Sequence, residues 1–266
     1  MAKPKIELLN KSKKPEKMSF LISDVPIEYI NSLRRYIMKE VPVMAIEDVE
    51  IINNSSIIYN EVLAHRLGLV VLSTDLKTYN MKNECKCKGK GCAGCEVKMS
   101  LKEKEPGYVY ASQIKSKDPK IKPVYGKTPI AKLKKGQKIE LVATAVLGKG
   151  KEHSKWNPGL VYYNQMVSID IKNKDKISKE KAEYMVKHFP EVFSLKNNKI
   201  ELLKKEWNDS ILYCDFANDP NIEIKRLDKY VFTVEPFGQL KAGEMIEKAL
   251  DIFDSHLDEF EKKINK

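Results

Sequence analysis

The chain has 266 residues, and apolar residues make up 42% of them, which is enough for one or two folded domains and argues against disorder throughout. Basic residues outnumber acidic ones by 48 to 37, a lysine-dominated excess that permits contact with nucleic acid or an acidic partner, although genome composition or growth temperature would explain it equally well. No apolar stretch approaches 18 residues, and the first nine residues lack the apolar core of a signal peptide, so we expect no membrane-spanning helix and a cytoplasmic protein.

Strand and helix signals alternate over the first 60 residues. Residues 17–23 predict a strand, because apolar side chains occupy every second position. Asp24-Val25-Pro26 predicts the start of a helix that runs to about Glu40, since proline is tolerated in the first turn. Alternation around 49–51 predicts the next strand. The apolar stripe of the helix consists of Ile30, Leu33 and Ile37.

The middle of the chain predicts mainly strands. A short helix is predicted over 60–67, and the fully apolar run 69–72 predicts a buried strand. Alternating residues predict further strands at 97–101 and 139–147. Between these two strands, 114–138 carries nine lysines against one acid and is expected to form a surface loop or linker.

The second half of the chain repeats this mixture of elements. Residues 161–171 predict a strand, and 178–188 predict an amphipathic helix with serine at its N-cap. Two apolar segments, 192–195 and 200–203, flank a polar turn and predict a hairpin. Alternation within 222–234 predicts another pair of strands.

A long amphipathic helix is predicted over about 241–264. Its apolar residues are spaced by 4, 3, 4, 3 and 4 positions, which keeps one narrow seam facing a partner. A helix of this length spans about 36 Å, which is long for one small domain to cover. The seam is therefore expected either to pack within the chain or to contact another chain. It consists of Ile246, Leu250, Phe253, Leu257, Phe260 and Ile264.

Four of the five cysteines are clustered within eleven residues. Clustered thiols in a chain without an export signal indicate a metal site before a disulfide framework. Four thiolates suit tetrahedral zinc and leave no open coordination position, so we predict one structural zinc ion. An iron–sulfur cluster and redox-active or incidental thiols stay open as alternatives. The predicted ligands are Cys85, Cys87, Cys92 and Cys95.

Catalytic signatures are absent from the sequence. It contains no H-E-x-x-H or G-x-S-x-G motif, and Gly126-Lys127-Thr128 imitates only the end of a phosphate-binding loop. The four histidines are scattered. No catalytic residue is therefore predicted on this chain.

Four sequence blocks together carry a family resemblance. They resemble the α-like subunits of multisubunit RNA polymerase, most closely the archaeal ones, and they extend over nearly the whole chain. The blocks are Asn31 to Arg35 with Glu40 to Pro42 and Ala45 to Val49, then Asn60 to Leu69, Gly148 to Pro158, and Glu235 to Gly238.

The resemblance implies an α+β fold with a discontinuous organisation. An α-like dimerisation domain would comprise 1–48 and 229–266. A mostly-β domain, 49–174, would be inserted into it and would carry the zinc loop 85–95. A small ferredoxin-like domain would occupy 175–228.

The ferredoxin-like segment departs from the family pattern. Many archaeal members hold an iron–sulfur cluster there, but Phe189 stands where a cysteine is typical, and only Cys214 remains. One thiolate cannot hold a cluster that needs three or four. We therefore expect this domain without its cofactor, kept for packing or protein contacts.

The resemblance also implies a role and a set of partners. Such subunits are non-catalytic assembly platforms within a nucleotidyltransferase. They pair with a smaller α-like subunit, L, through the C-terminal helix seam, join the small subunits N and P, and dock the second-largest subunit. Nucleic acid would be contacted only through the assembled polymerase. The residues assigned to the large-subunit contact are Arg34, Arg35, Lys155 and Trp156.

The alternative is a free-standing zinc-containing nucleic-acid-binding protein. It would use the metal loop together with the basic stretch 114–138. Against it, the aromatic residues are not interleaved with basic residues along the sequence in a stacking pattern. An electron-transfer protein is a third possibility, and the missing cysteines argue against it.

Overall fold

The structure, a computed structural model, describes residues 4–13 and 16–265. Within these residues it has four α-helices and thirteen β-strands arranged in four sheets, so the predicted mixture of helix and sheet is confirmed. The outermost residues of the predicted dimerisation domain, 1–3 and 266, lie outside the described residues. None of the helices that the structure describes is long and apolar enough to cross a membrane.

The secondary structure elements follow one another in a mixed order along the chain. The helices are α1 (Ile27–Lys39), α2 (Asn60–Gly68), α3 (Lys179–His188) and α4 (Ala242–Ile264). The strands of the first half are β1 (Lys5–Lys13), β2 (Glu16–Ser23), β3 (Pro42–Asn54), β4 (Glu96–Glu103), β5 (Gly107–Tyr110), β6 (Lys115–Ser116) and β7 (Pro129–Leu133). Those of the second half are β8 (Ile139–Lys149), β9 (Gly159–Ile171), β10 (Phe193–Lys196), β11 (Lys199–Leu202), β12 (Glu206–Asn208) and β13 (Ile222–Pro236).

Two compact units divide the chain, and the first is built on a five-stranded sheet. This unit comprises the described residues up to Ser32 and Tyr162–Val234. Its strands lie in the order β1, β2, β13, β9, β12. Strands β2 and β13 are antiparallel, and the buried hydroxyls of Ser19 and Thr233 satisfy each other at 3.1 Å.

Helix α3 and the β10–β11 hairpin form a small apolar core within the first unit. Ser178 caps α3, because its hydroxyl accepts a hydrogen bond from the Lys181 N–H at 3.3 Å. The hairpin turn needs two residues with positive φ, and Asn197 and Asn198 supply them at 51° and 59°. The fully buried side chains of this core include Val167, Met185, Val192, Phe193, Ile200, Ile211 and Phe216.

The second unit comprises Leu33–Val161 and the described residues from Glu235 onward, and it is built on a four-stranded sheet. Its strands lie in the order β3, β8, β4, β6, and β5 pairs with β7 in a separate two-stranded ribbon. Alternate side chains of the sheet enter one apolar core, so that Ala145, Ala143 and Leu141 on β8 lie opposite buried residues of β4. Those β4 partners are Val97, Met99 and Leu101.

Three sequence predictions of local structure are wrong. Segment 69–72 forms no strand, because backbone bonds from Leu69 and Val70 close the end of α2 and leave one isolated bridge from Leu72 to Pro123. Segment 222–234 forms the single long strand β13 instead of a pair. The lysine-rich segment 114–138 is not a continuous loop, since it contains β6 and β7.

The predicted domain boundaries remain a prediction. The two compact units have bounds that differ from those of the three predicted domains. Helix α1 begins in the first unit and ends in the second.

Candidate metal centre and interaction surfaces

The four clustered cysteines converge on one point of the second unit. Their sulfur atoms all lie within 4.8 Å of one another. Cys85 and Cys92 sulfurs are 3.5 Å apart, those of Cys87 and Cys95 are 3.6 Å apart, and those of Cys92 and Cys95 are 3.8 Å apart. Four sulfurs at about 2.3 Å from a tetrahedral ion would be separated by about 3.8 Å. The donor set is therefore compatible with a zinc site.

Tight turns bring these sulfurs together. The Lys88 N–H donates to the Cys85 carbonyl at 2.9 Å, and the Cys95 N–H donates to the Cys92 carbonyl at 3.0 Å. Between the two turns the chain passes through Gly89 and Gly91 at φ +80° and +87°, a region that favours glycine. The two turns and the two glycines thus bring the four thiols together within one short segment of the chain.

The loop is anchored to the sheet on its C-terminal side. Cys95 directly precedes β4, and the Asn80 N–H donates to the Gly94 carbonyl at 2.9 Å. Lys82 pairs with Glu96, the first residue of β4, at 2.9 Å. Lys82 and Glu96 were not predicted to interact, although their opposite charges on the two sides of the cysteine cluster were a usable signal.

The thiols differ in how readily they ionise. Burial raises the pKa of Cys95 to about 12. Burial also acts to raise the pKa of Cys87, but hydrogen bonds from Cys85, Cys95 and the Gly91 N–H outweigh it and lower that pKa to about 7. Four thiolates cannot share this space without a compensating cation, and a cation bound by all four sulfurs would displace their remaining protons.

Helix α4 presents two neighbouring apolar faces. The face that packs within the second unit has its buried side chains at Ala242, Met245 and Ala249. The predicted seam lies beside this face, and four of its six residues remain open to solvent. These four are Leu250, Leu257, Phe260 and Ile264, which are 46%, 49%, 63% and 65% exposed.

The other two seam residues are half-buried, and one of them has an aromatic neighbour. The ring of Phe253 meets the edge of the Tyr36 ring at a centroid distance of 4.9 Å. The Tyr36 hydroxyl also lies 3.0 Å from Nδ1 of His256. Tyr36 therefore contacts α4 and links the C-terminal part of α1 to it. This contact was not predicted from the sequence, because Tyr36 and His256 are 220 positions apart.

The two arginines of α1 have different surroundings. Ile30 and Ile37 are buried, and Leu33 is half-buried. Arg34 is half-buried, and its Nη1 lies 3.6 Å from the Met38 sulfur. Arg35 is exposed. A guanidinium on the solvent side of α1 is thus available for a forked contact to a carboxylate.

Lys155 and Trp156 are held within the second unit. The Trp156 side chain is 7% exposed, and its Nε1 donates to the Val146 carbonyl at 3.4 Å. Its ring packs against Gly148, where an added Cβ would lie 2.3 Å from ring atoms. Lys155 Nζ donates to the Ile46 carbonyl at 3.1 Å and pairs with Glu47. The indole is therefore a packing residue, and the contact of these two residues with a large subunit remains a prediction.

The region of the predicted ferredoxin-like domain has an aromatic core. Phe216 contacts three rings at centroid distances between 5.8 and 6.4 Å, among them that of Phe189. Cys214 is half-buried, and burial raises the pKa of its thiol. Phe189 thus contributes to the packing of this core.

Comparison with known proteins identifies relatives along nearly the whole chain. Residues 49–170 match the family described as RNA polymerase Rpb3/RpoA insert domain. A Methanosphaera stadtmanae protein named DNA-directed RNA polymerase subunit Rpo3 is 34% identical, over 96% of this chain and 97% of its own. The protein of that name from Pyrococcus furiosus is 32% identical over 98% of both chains. The one from Methanosarcina acetivorans is 42% identical over 64% of this chain and 63% of its own.

Proposed function

The chain belongs to the Rpo3 family of archaeal DNA-directed RNA polymerase subunits, and on this premise we propose that it is a non-catalytic subunit on which the polymerase assembles. It pairs with the small α-like subunit L, joins the small subunits N and P, and docks the second-largest subunit. The observation that carries this proposal is the exposed apolar seam of α4.

The seam is an exposed apolar surface, and its contact with water is unfavourable. Four large apolar side chains recur along one line of a helix about 35 Å long. Monomeric proteins rarely expose a contiguous patch of this kind unless it serves as an interaction site. A second helix with the same 4 and 3 spacing would fill the grooves between these side chains.

The apolar area of the seam limits how much it can contribute to the free energy of binding L. Fully burying one such side chain contributes about 1.5–3 kcal/mol, so covering four half-exposed ones contributes roughly 4 kcal/mol. Loss of translational and rotational freedom on association costs at least this much. The seam is therefore the apolar centre of a larger interface, and the partner must also contact other parts of the chain.

Docking of the second-largest subunit is proposed for the solvent side of α1. Arg35 is exposed there, and Arg34 lies one position before it. Arginine forks pair with carboxylates more specifically than lysine does, and two of the chain's four arginines lie side by side here. Lys155 and Trp156 belong to the same proposal, with Trp156 acting mainly by shaping the loop that presents Lys155.

The four cysteines are proposed to hold one structural zinc ion. All four coordination positions are taken by Cys85, Cys87, Cys92 and Cys95, which leaves none for a substrate. Bound zinc would fix the loop that leads into the start of β4 and thereby keep this surface rigid for a partner. The proposal assigns no iron–sulfur cluster to the chain.

Co-expression with subunit L of the same organism tests the pairing. We expect the chain alone to self-associate and the co-expressed pair to elute as a 1:1 complex by size-exclusion chromatography with light scattering. A monodisperse monomer that forms no complex with L would contradict the proposal. If nucleic acid removable by salt accompanied that monomer, the free-standing binding protein would be favoured instead.

A further inference from the structure

The two-stranded ribbon of the second unit carries aromatic and basic side chains on its outer face. Tyr108 lies opposite Lys132 in the β5–β7 register, so both side chains leave the ribbon on the same side. Tyr108 and Tyr110 are 55% and 38% exposed, and their ring centroids lie 6.0 Å apart at 33°. Lys132 Nζ lies 5.0 Å from the centre of the Tyr108 ring.

The opposite face of the ribbon is buried and holds the outer face in position. Val109, Ala131 and Leu133 are at most 3% exposed and belong to the core of the second unit. The tyrosines are therefore presented on a rigid backbone, which limits the conformational entropy lost when a ligand stacks on them.

The surroundings of the tyrosines are strongly basic. Residues 104–138 contain ten lysines and two acids, Glu105 and Asp118. Asp118 accepts a hydrogen bond from the Tyr79 hydroxyl at 2.6 Å, and Lys120 pairs with Asp75 at 3.1 Å. In the described part of the chain, Lys120 is the one lysine of this segment with an ion pair. The other lysines are left to attract an anionic ligand.

We propose that the outer face of the β5–β7 ribbon binds single-stranded RNA. Bases stack on the exposed tyrosine rings, while Lys132 and neighbouring lysines neutralise phosphates. Every base has a stackable face, so this recognition would tolerate many sequences. RNA is the occupant we commit to, because the family makes RNA and the ribose 2′-hydroxyl gives tyrosine and lysine an extra hydrogen-bonding group.

Pairing of two strands creates this surface. Along the sequence, Lys132 is 24 positions from Tyr108, so the aromatic and basic residues do not alternate. The inference uses membership of the polymerase family and is independent of the proposed pairing with L. It assigns to the inserted domain its own contact with nucleic acid, one that would operate inside the assembled enzyme.

The test measures binding of a fluorescein-labelled twelve-nucleotide oligouridylate to the full chain, held in solution by L if it needs that partner. Tyr108→Ala should weaken binding at least about fivefold, since one stacked base contributes about 1–3 kcal/mol. Tyr108→Phe keeps the ring and should bind within about twofold of wild type. Lys132→Ala should lower the slope of log affinity against log salt by about 0.7 for one lost phosphate contact.

A matched control separates the ribbon surface from general effects of losing a tyrosine. Tyr213 is 82% exposed in the first unit, and Tyr213→Ala should leave RNA binding unchanged. Unchanged binding by Tyr108→Ala would overturn the proposal. If single-stranded DNA bound as tightly as the oligouridylate or more tightly, RNA would be the wrong occupant. If duplex RNA bound as tightly as the oligouridylate, stacking of bases on the tyrosines would be wrong. A failure to pair with L would contradict the proposed function alone, and wild type and variants would then be compared as the chain without L.

Discussion

A charge placed at the centre of the α4 seam should prevent pairing with L while the chain itself still folds. Leu257 is 49% exposed and lies on the open face of the helix, between Phe253 and Phe260 of the seam. Leu257→Asp adds a carboxylate where the proposed partner helix would exclude water. Because half of the side chain is already solvated, the chain itself should remain folded.

The magnitude follows from what the partner would cover. Burying the exposed half of Leu257 contributes about 1 kcal/mol, and this contribution is lost in the variant. An unpaired carboxylate enclosed by apolar side chains costs about 3 kcal/mol in addition. The total of about 4 kcal/mol corresponds to a dissociation constant roughly a thousandfold higher than that of the wild-type pair.

Ser255→Asp is the matched control, because Ser255 is an exposed residue of the same helix, about 180° from the seam. Both variants add one negative charge near other acidic residues of α4, so their local cost to the helix is similar. We expect pull-down from co-expressing cells to recover L with Ser255→Asp and not with Leu257→Asp. Equal recovery of L with both variants would refute the assignment of the seam.

The remaining predictions concern the metal loop, core packing and large-subunit docking. Elemental analysis should find about one zinc per chain, and Cys92→Ser should release it while hydrogen exchange elsewhere in the second unit stays near wild type. Gly148→Ala should lower the free energy of unfolding by about 1–3 kcal/mol because its Cβ would overlap the indole ring, whereas Gly243→Ala, with open space around it, should be neutral or stabilising in thermal melts. Alanine at both Arg34 and Arg35 should leave pairing with L intact but weaken recruitment of the large subunits in reconstitution; normal assembly at limiting concentration would reject the contact.

Elements with a strong period and clear end signals were predictable from the sequence. Helix α4 begins and ends within one residue of the predicted limits, and the β10–β11 hairpin follows from its two consecutive asparagines. In both cases the information lies within one segment of the chain, where periodicity and turn chemistry determine the local structure.

The wrong predictions have a common physical cause, which is that tertiary contacts decide short or interrupted segments. The apolar run 69–72 looked like a strand, yet Leu72 is buried in a connection that has one bridge to Pro123. Lys225, Arg226 and Asp228 separate the two apolar segments of β13, yet one continuous strand tolerates them because their side chains are exposed. Strand β1 lies at a sheet edge, where exposed side chains leave little pattern to detect.

In the candidate sites, too, features within one short segment were predictable, and contacts between distant segments were not. Spacing alone brought Cys85, Cys87, Cys92 and Cys95 to attention, because a metal loop closes within a few residues. The burial of Trp156 depends on how the turn after β8 folds back onto Gly148, and the pairing of Tyr108 with Lys132 depends on strand register. One sequence reveals neither contact.

Affinity purification of the tagged chain from its own cells tests the central claim most directly. In high salt, which removes adventitious nucleic acid, we expect the second-largest polymerase subunit and L in equimolar amounts, and RNA synthesis from a DNA template by the purified assembly. The chain recovered alone under these conditions, or RNA synthesis by the chain without other subunits, would contradict a non-catalytic assembly subunit of RNA polymerase.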